Sequence, residues 1–367
     1  MRRSWYLLLA LGAVAVAVSA AYAAAIATGA VPCAVVSTQP SCEVALVPGP
    51  TEDTLGLVRI DGTTTYPSSG RLLLTTVAVR DELDLASWWD ARRSRVVDTV
   101  PRSTVYPDGQ DREETSAQNA LLMEDSQVTA ALAALDAAGY DVSDAAVGAE
   151  VAALEPDAVT SDLAVGDVVV AIDGEPVPDA ATAVEIVRGA APGDEAELTV
   201  VGDEGAERTV AVTYGANPDD PARAYVGVLL RSALELPVDV SIDAGVIGGP
   251  SAGLMFALGV VDLLGEEDLT GGRVVAGTGT ITVEGQVGPV GGIRQKLVAA
   301  STRDGSADPA SVFLVPRANL REARSAVLAS ELLLVPVDDI DDALAALADL
   351  RAGREPAEAF ALPAAED

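Results

Sequence analysis

Between Arg3 and Glu43 the chain carries no charged side chain, and from Trp5 to Ala30 it is almost continuously apolar, rich in alanine, leucine and valine. A run of that length exceeds the ~20 residues a helix needs to span a bilayer. Arg2 and Arg3 on the short flank predict a single-pass anchor (residues 1–30) with its N-terminus cytoplasmic and the body outside. A cleaved signal peptide is the competing reading, because Ala21-Tyr22-Ala23 has the small-residue pattern of a cleavage site. Both readings export the body. Cys33 and Cys42 follow the run, and an oxidising compartment permits a small-loop disulfide between them, the alternative being two idle thiols.

Beyond that run, what is missing narrows the chemistry. Of 367 residues none is histidine, which excludes Ser-His-Asp and Cys-His catalysis and histidine-ligated metals. Two cysteines cannot build a thiolate zinc site, so no metal and no cofactor is expected. The formal charge of −33 repels phosphate backbones and argues against nucleic acid as a partner. Of 23 basic residues, one is lysine: Lys296. It is therefore the one side-chain amine able to lose its proton and act as a base. It lies between Gln295 and Leu297, outside any Gly-Lys-Ser/Thr phosphate loop, so no nucleotide is expected.

Alternation and turn signals predict strands at Gly56–Ile60 and Arg71–Val77, an irregular stretch from Ala86 to Asp111, and a helix over Ser116–Ala138. Residues 31–124 read as a linker with the first strands and helix of the main body. The segment Gly166-Asp167-Val168-Val169-Val170-Ala171-Ile172-Asp173-Gly174, with a helix at Ala181–Arg188 and a Pro192-Gly193 turn, resembles a bacterial PDZ domain, placed at 125–215. That resemblance implies a peptide strand added to the sheet edge beside the helix. It also implies a carboxylate-cradling loop around Ala145–Gly148. From residue 222 to 350 strands and helices alternate in an α/β (α+β) body. Residues 351–367 read as a disordered tail.

Two segments carry the chemistry. Gly248-Gly249-Pro250-Ser251-Ala252-Gly253 opens an apolar helix. Ser251 there is either a helix cap or a nucleophile, served by small neighbours and by free amides at the helix start. The amides near Ser251 and Gly248–Gly249 are the expected oxyanion donors. In Gly288-Pro289-Val290-Gly291-Gly292-Ile293-Arg294-Gln295-Lys296-Leu297, the residues Ile293, Lys296, Leu297 and Ala300 share one helical face. Lys296 then points inward, where desolvation lowers its proton affinity, while Arg294 and Gln295 take the wet side; the alternative is a lysine whose stem packs while its amine snorkels to solvent.

These two segments resemble the catalytic motifs of the Lon peptidase family, whose proteolytic domain uses a Ser–Lys dyad. The resemblance implies Ser251 as nucleophile, Lys296 as base and Thr278, in Gly277-Thr278-Gly279, as a residue that hydrogen-bonds the lysine. Many members carry an acid three positions before the serine, where this chain has Gly248. The layout is similar to the membrane-anchored, PDZ-containing branch of that family, with the PDZ domain inserted into the peptidase fold. It implies an ATP-independent serine endopeptidase acting on unfolded or membrane-tethered protein segments, and a homo-oligomeric ring. A non-catalytic PDZ scaffold and a purely self-processing peptidase are the rival readings.

Overall fold

Leu72, Leu73 and Leu74 are consecutive and each is at most 2% exposed, which a strand permits only if both faces of its sheet are covered. The computed structural model describes residues 14–25, 33, 36, 38, 40–107, 110, 112–143, 145–155, 158–160, 162–202, 205–218, 220–303 and 308–365. They form two units: one from the flanking segments, up to Gly139 and from Val238 onward, and one from Tyr140–Pro237 inserted between them.

The first segment contains helix α1 (14–25), strands β1 (Glu43–Asp53), β2 (Val58–Asp61) and β3 (Arg71–Arg80), helix α2 (Leu85–Arg93), strand β4 (Asp98–Pro101), and helices α3 (Arg102–Val105) and α4 (Arg112–Ala137). Part of Trp5–Ala30 lies outside the described residues, and no described helix is long and apolar enough to cross a membrane. Cys33 and Cys42 are joined by a disulfide, with Cα atoms 5.7 Å apart. The stretch expected to be irregular, Ala86–Asp111, instead supplies α2, β4 and α3. Asp84 caps α2 by accepting a hydrogen bond from the Ser87 amide, a local signal in Asp-Leu-Ala-Ser that the composition obscured.

The inserted unit comprises β5 (Ala146–Leu154), β6 (Val168–Ile172), β7 (Glu175–Pro176), α5 (Ala180–Gly189), β8 (Glu195–Val201), β9 (Glu207–Thr213), β10 (Gly215–Ala216), β11 (Ala224–Tyr225) and β12 (Val228–Leu234). Its sheet runs β12-β5-β6-β8-β9, with β7 paired to β6. Two expectations change. The unit spans 140–237 where the sequence suggested 125–215. Helix α4 belongs to the unit formed by the flanking segments, and β12, read from sequence as part of the main body, pairs with β5. Because β12 and β6 flank β5, the free edge near α5 belongs to β12 rather than to the strand after Ala145–Gly148.

The last segment adds β13 (Asp239–Ile242), α6 (Gly253–Leu264), β14 (Val274–Gly277), β15 (Thr280–Ile281), β16 (Val287–Gly288), α7 (Ile293–Ser301), β17 (Val312–Pro316), α8 (Leu320–Ala323), β18 (Leu332–Val337), α9 (Ile340–Arg351) and β19 (Phe360–Leu362). The main sheet is ordered β19-β18-β17-β14-β3-β1-β4. Strands β18, β17, β14 and β3 are parallel to one another, and the outer pairings are antiparallel. Leu72 and Leu74 enter a core with α4, α6 and α9, whereas Leu73 enters a second core with α7 and α8. So α6 and α7 cover opposite faces of the sheet. The tail expected to be disordered contributes β19, whose Phe360 and Leu362 pack on the second core and whose backbone pairs with β18. Polar, alanine-rich flanks concealed a three-residue strand that only an existing sheet edge could stabilise.

Candidate active site

Helix α6, which follows Ser251, and helix α7, which carries Lys296, lie on opposite faces of the sheet, and the two residues meet where β14 stops. Strand β14 pairs with β3 up to Gly277 opposite Leu74 and then leaves the sheet. The next residue of β3, Thr75, therefore offers its backbone carbonyl to another donor, and Lys296 takes it: Nζ donates to the Thr75 carbonyl at 2.7 Å. The same Nζ donates to Ser251 Oγ at 2.9 Å. The carbonyl fixes the rotation of the amine. Once the amine loses a proton, its lone pair can face the serine hydroxyl.

Lys296 is only 3% exposed. Burial lowers its pKa from 10.5 to about 8, because an ammonium in this dry site loses its hydration and gains just two acceptors. That value suits a base working near neutral to mildly alkaline pH. The inward orientation read from the helical spacing is thus what the structure has, and the snorkelling alternative is not.

Ser251 sits in a 3-10 turn, Pro250–Ala252, immediately before α6, and no side-chain cap is made at the start of either helix. Its hydroxyl faces the lysine instead of capping. Gly249 precedes the turn with φ +84, a backbone conformation that favours glycine. Ser126 Oγ of α4 donates to the Pro250 carbonyl at 3.2 Å and braces the same turn. Of the expected oxyanion donors, the Gly249 amide is already committed to the Asn119 carbonyl at 2.8 Å. The Ser251 amide lies in the first turn of the helical segment, where the dipole favours an anion.

Thr278 is fully buried, but its role differs from the one the resemblance implied. Its Oγ1 donates to the Ser251 backbone carbonyl at 2.8 Å, and the Gly279 amide donates to the same oxygen at 2.9 Å. Thr278 therefore holds the Ser251 backbone, and the lysine is held by Thr75.

The expected wet side of α7 is wet only in part, at Arg294. Gln295 is fully buried and donates from Nε2 to Asp98 Oδ2 at 2.8 Å. Arg294 pairs with Asp98 Oδ1 at 2.8 Å and also donates to the Arg95 carbonyl. Strand β4, remote in sequence, covers that face. At the other end of the lysine loop, the Asn319 side chain bonds both the amide and the carbonyl of Val290, each at 2.9 Å. Gly292 caps α7 with φ +64, and a Cβ there would approach Val77 Cγ2 to 2.7 Å. Thr75, Asp98, Asn119 and Asn319 went unnoticed in the sequence. Thr75 and Asn119 act through backbone atoms that any residue has, and Asp98 is one acid among many.

No cluster of metal-ligating side chains occurs among the described residues. A hydroxyl facing a buried amine beside a helix-start amide is an arrangement able to support acyl transfer.

Comparison with known proteins bears on the stretch that holds these residues. Residues 233–349 match the Lon protease (S16) C-terminal proteolytic domain, a stretch that contains Ser251, Thr278 and Lys296. The Lon protease of Rickettsia bellii is 34% identical over 125 residues, covering 33% of this chain and 15% of that protein. Lon protease 1 of Myxococcus xanthus is 35% identical over 111 residues, covering 29% of this chain and 13% of that protein. The chain thus spans less than a sixth of the length of these relatives. The PDZ domain of an SdrC-like protein from Listeria innocua aligns at 16% identity and a TM-score of 0.21, covering 23% of this chain and 92% of that one. The matched domain and the names of these relatives support a serine peptidase, in a mixed α/β fold whose residues 233–349 are similar to the Lon proteolytic domain.

Proposed function

We propose that this protein is an ATP-independent, membrane-anchored serine endopeptidase that cleaves unfolded or membrane-tethered protein segments. The observation that carries the reading is the 2.9 Å contact between Ser251 Oγ and the buried amine of Lys296. In its neutral form Lys296 accepts the Ser251 proton as Oγ attacks a peptide carbonyl carbon. The developing oxyanion is met by the Ser251 amide at the start of the helical segment. When the tetrahedral adduct collapses, the C–N bond breaks and the lysine returns its proton to the departing amine. Lys296, neutral again, then activates the water that hydrolyses the ester.

The inserted unit would hold substrate, its PDZ-like reading resting on the Gly-Asp-Val-Val-Val segment and its turn. The free edge of β12 near α5 is where a peptide strand would add. Membrane anchoring rests on the apolar run and Arg2-Arg3. The Cys33–Cys42 disulfide favours a body outside the cytoplasm, where such bonds persist. The net charge of −33 disfavours nucleic acid, the sole lysine lies outside any phosphate loop, and ring assembly is carried by the resemblance alone.

The test is cleavage of casein by the full-length protein without ATP, comparing wild type with Ser251→Ala and Lys296→Arg. Cleavage by wild type alone is expected. Undiminished cleavage by Lys296→Arg, which keeps the charge but cannot act as a base, would overturn the dyad. No cleavage in any sample would favour a scaffold. A mass difference between wild type and Ser251→Ala beyond the substituted oxygen would favour self-processing.

A further inference from the structure

The chain's three tryptophans occupy two places: Trp5, beside Arg2 and Arg3 at the start of the apolar run, and Trp88-Trp89 on α2. On α2, Leu85, Trp89 and Arg93 follow one another at four-residue steps and form an outward stripe. Leu85 and Trp89 are each 49% exposed, while Ala91 on the inner side packs against Ala45 and Val47. The Arg93 guanidinium stacks on the Trp89 ring at 4.6 Å. Trp88 is turned inward, donating from Nε1 to Glu43, and Arg92 pairs with the other Glu43 oxygen at 2.6 Å.

Glu43 ties this stripe to the apolar run. It adjoins Cys42, which is bonded to Cys33, three residues beyond Ala30. Three extended residues reach about 10 Å, so the Cα of Glu43 lies within roughly 20 Å of the end of the run. A half-exposed tryptophan, a leucine and a cation held this close to such a segment have the make-up of a membrane-interface element, an amphipathic ring at headgroup level with an arginine reaching the phosphates. The stripe itself carries one charge, the cation of Arg93, while Arg92 is neutralised by Glu43 and the exposed acids Glu82, Asp84 and Asp90 lie to its sides.

We propose that the Leu85–Trp89–Arg93 stripe of α2 rests at the headgroup level of a lipid bilayer, beside the point where the apolar N-terminal segment emerges. The proposal builds on the anchor reading, and the experiment separates the two. Full-length protein is reconstituted in phosphatidylcholine–phosphatidylglycerol vesicles, with or without bromine on the upper acyl chain. In Trp5→Phe the emission comes from Trp88 and Trp89, and the part lost on further Trp89→Phe belongs to the stripe. In Trp88→Phe/Trp89→Phe the emission comes from Trp5. Loss of Trp89 emission in brominated vesicles, relieved by Arg93→Glu, is expected. Equal Trp89 emission in both vesicles would overturn the stripe, while quenching of Trp5 would leave the anchor standing. Quenched Trp89 with unquenched Trp5 would keep the surface contact and remove the anchor.

Discussion

Asp98 and Gln295, 197 residues apart in sequence, are joined by a 2.8 Å hydrogen bond one residue away from the lysine that faces Ser251. Gln295 is fully buried, and Asp98 also anchors Arg294. A strand from the N-terminal segment thus sets the rotation of the helix that carries Lys296.

Asp98→Ala leaves the Gln295 amide buried without its partner, at a cost of about 1–3 kcal/mol in stability. Cleavage should fall with it, and the pH at half-maximal cleavage should move as the lysine loses its fixed position. Asp98→Asn, which retains one acceptor, should recover part of both. Urea denaturation and a pH profile of casein cleavage check this. An unaltered profile in Asp98→Ala would reduce the contact to a purely structural one.

Thr278→Val removes the hydroxyl that holds the Ser251 carbonyl while preserving shape. Losing one hydrogen bond of about 1 kcal/mol lowers kcat about fivefold. Because Thr278 bonds the serine's backbone and not the lysine, the apparent pKa of cleavage should stay where it is in wild type. A shifted pKa would restore the lysine contact that the family resemblance implied.

Lys296 gives a pH dependence with a definite sign. Its folded pKa is about 8 against 10.5 when unburied, so between these values the unfolded chain holds the proton and the folded chain does not. Stability therefore rises with pH through this window, by about 3 kcal/mol in total. Wild type should be the weaker partner of Lys296→Met at pH 7, and the difference between them should close by pH 10.5. Cleavage should rise through pH 8 in parallel, since the neutral amine is the base. Thermal unfolding of both variants across this range, beside the cleavage profile, is the measurement.

Phe360→Ala tests the edge strand. The ring is half-buried against the second core and lies under the Arg324 guanidinium at 4.8 Å. Its loss should cost about 1–3 kcal/mol, read as a lower urea midpoint, with the site's pH profile unmoved. A wild-type midpoint in the variant would mean that β19 contributes nothing to the folded state.

The candidate dyad was legible because it rests on local and compositional facts. A chain with one lysine and no histidine leaves one base, and the spacing of Ile293, Lys296, Leu297 and Ala300 turns that lysine inward. The alternating strands and helices of the main body followed from periodicity in the same way. What tertiary structure alone decided are the contacts that cross the sheet or join distant segments. Ser251 and Lys296 belong to helices on opposite faces, and they meet because β14 ends at Gly277. The Thr75 and Asn119 carbonyls carry no side-chain signature, so no sequence pattern could single them out. Gln295 and Arg294 looked solvent-facing because the strand covering them, β4, lies almost two hundred residues away. The edge strand β19 and the pairing of β12 with β5 likewise exist only because a sheet edge was there to receive them. Burial and hydrogen bonding depend on which surfaces meet, and local propensity does not encode that meeting.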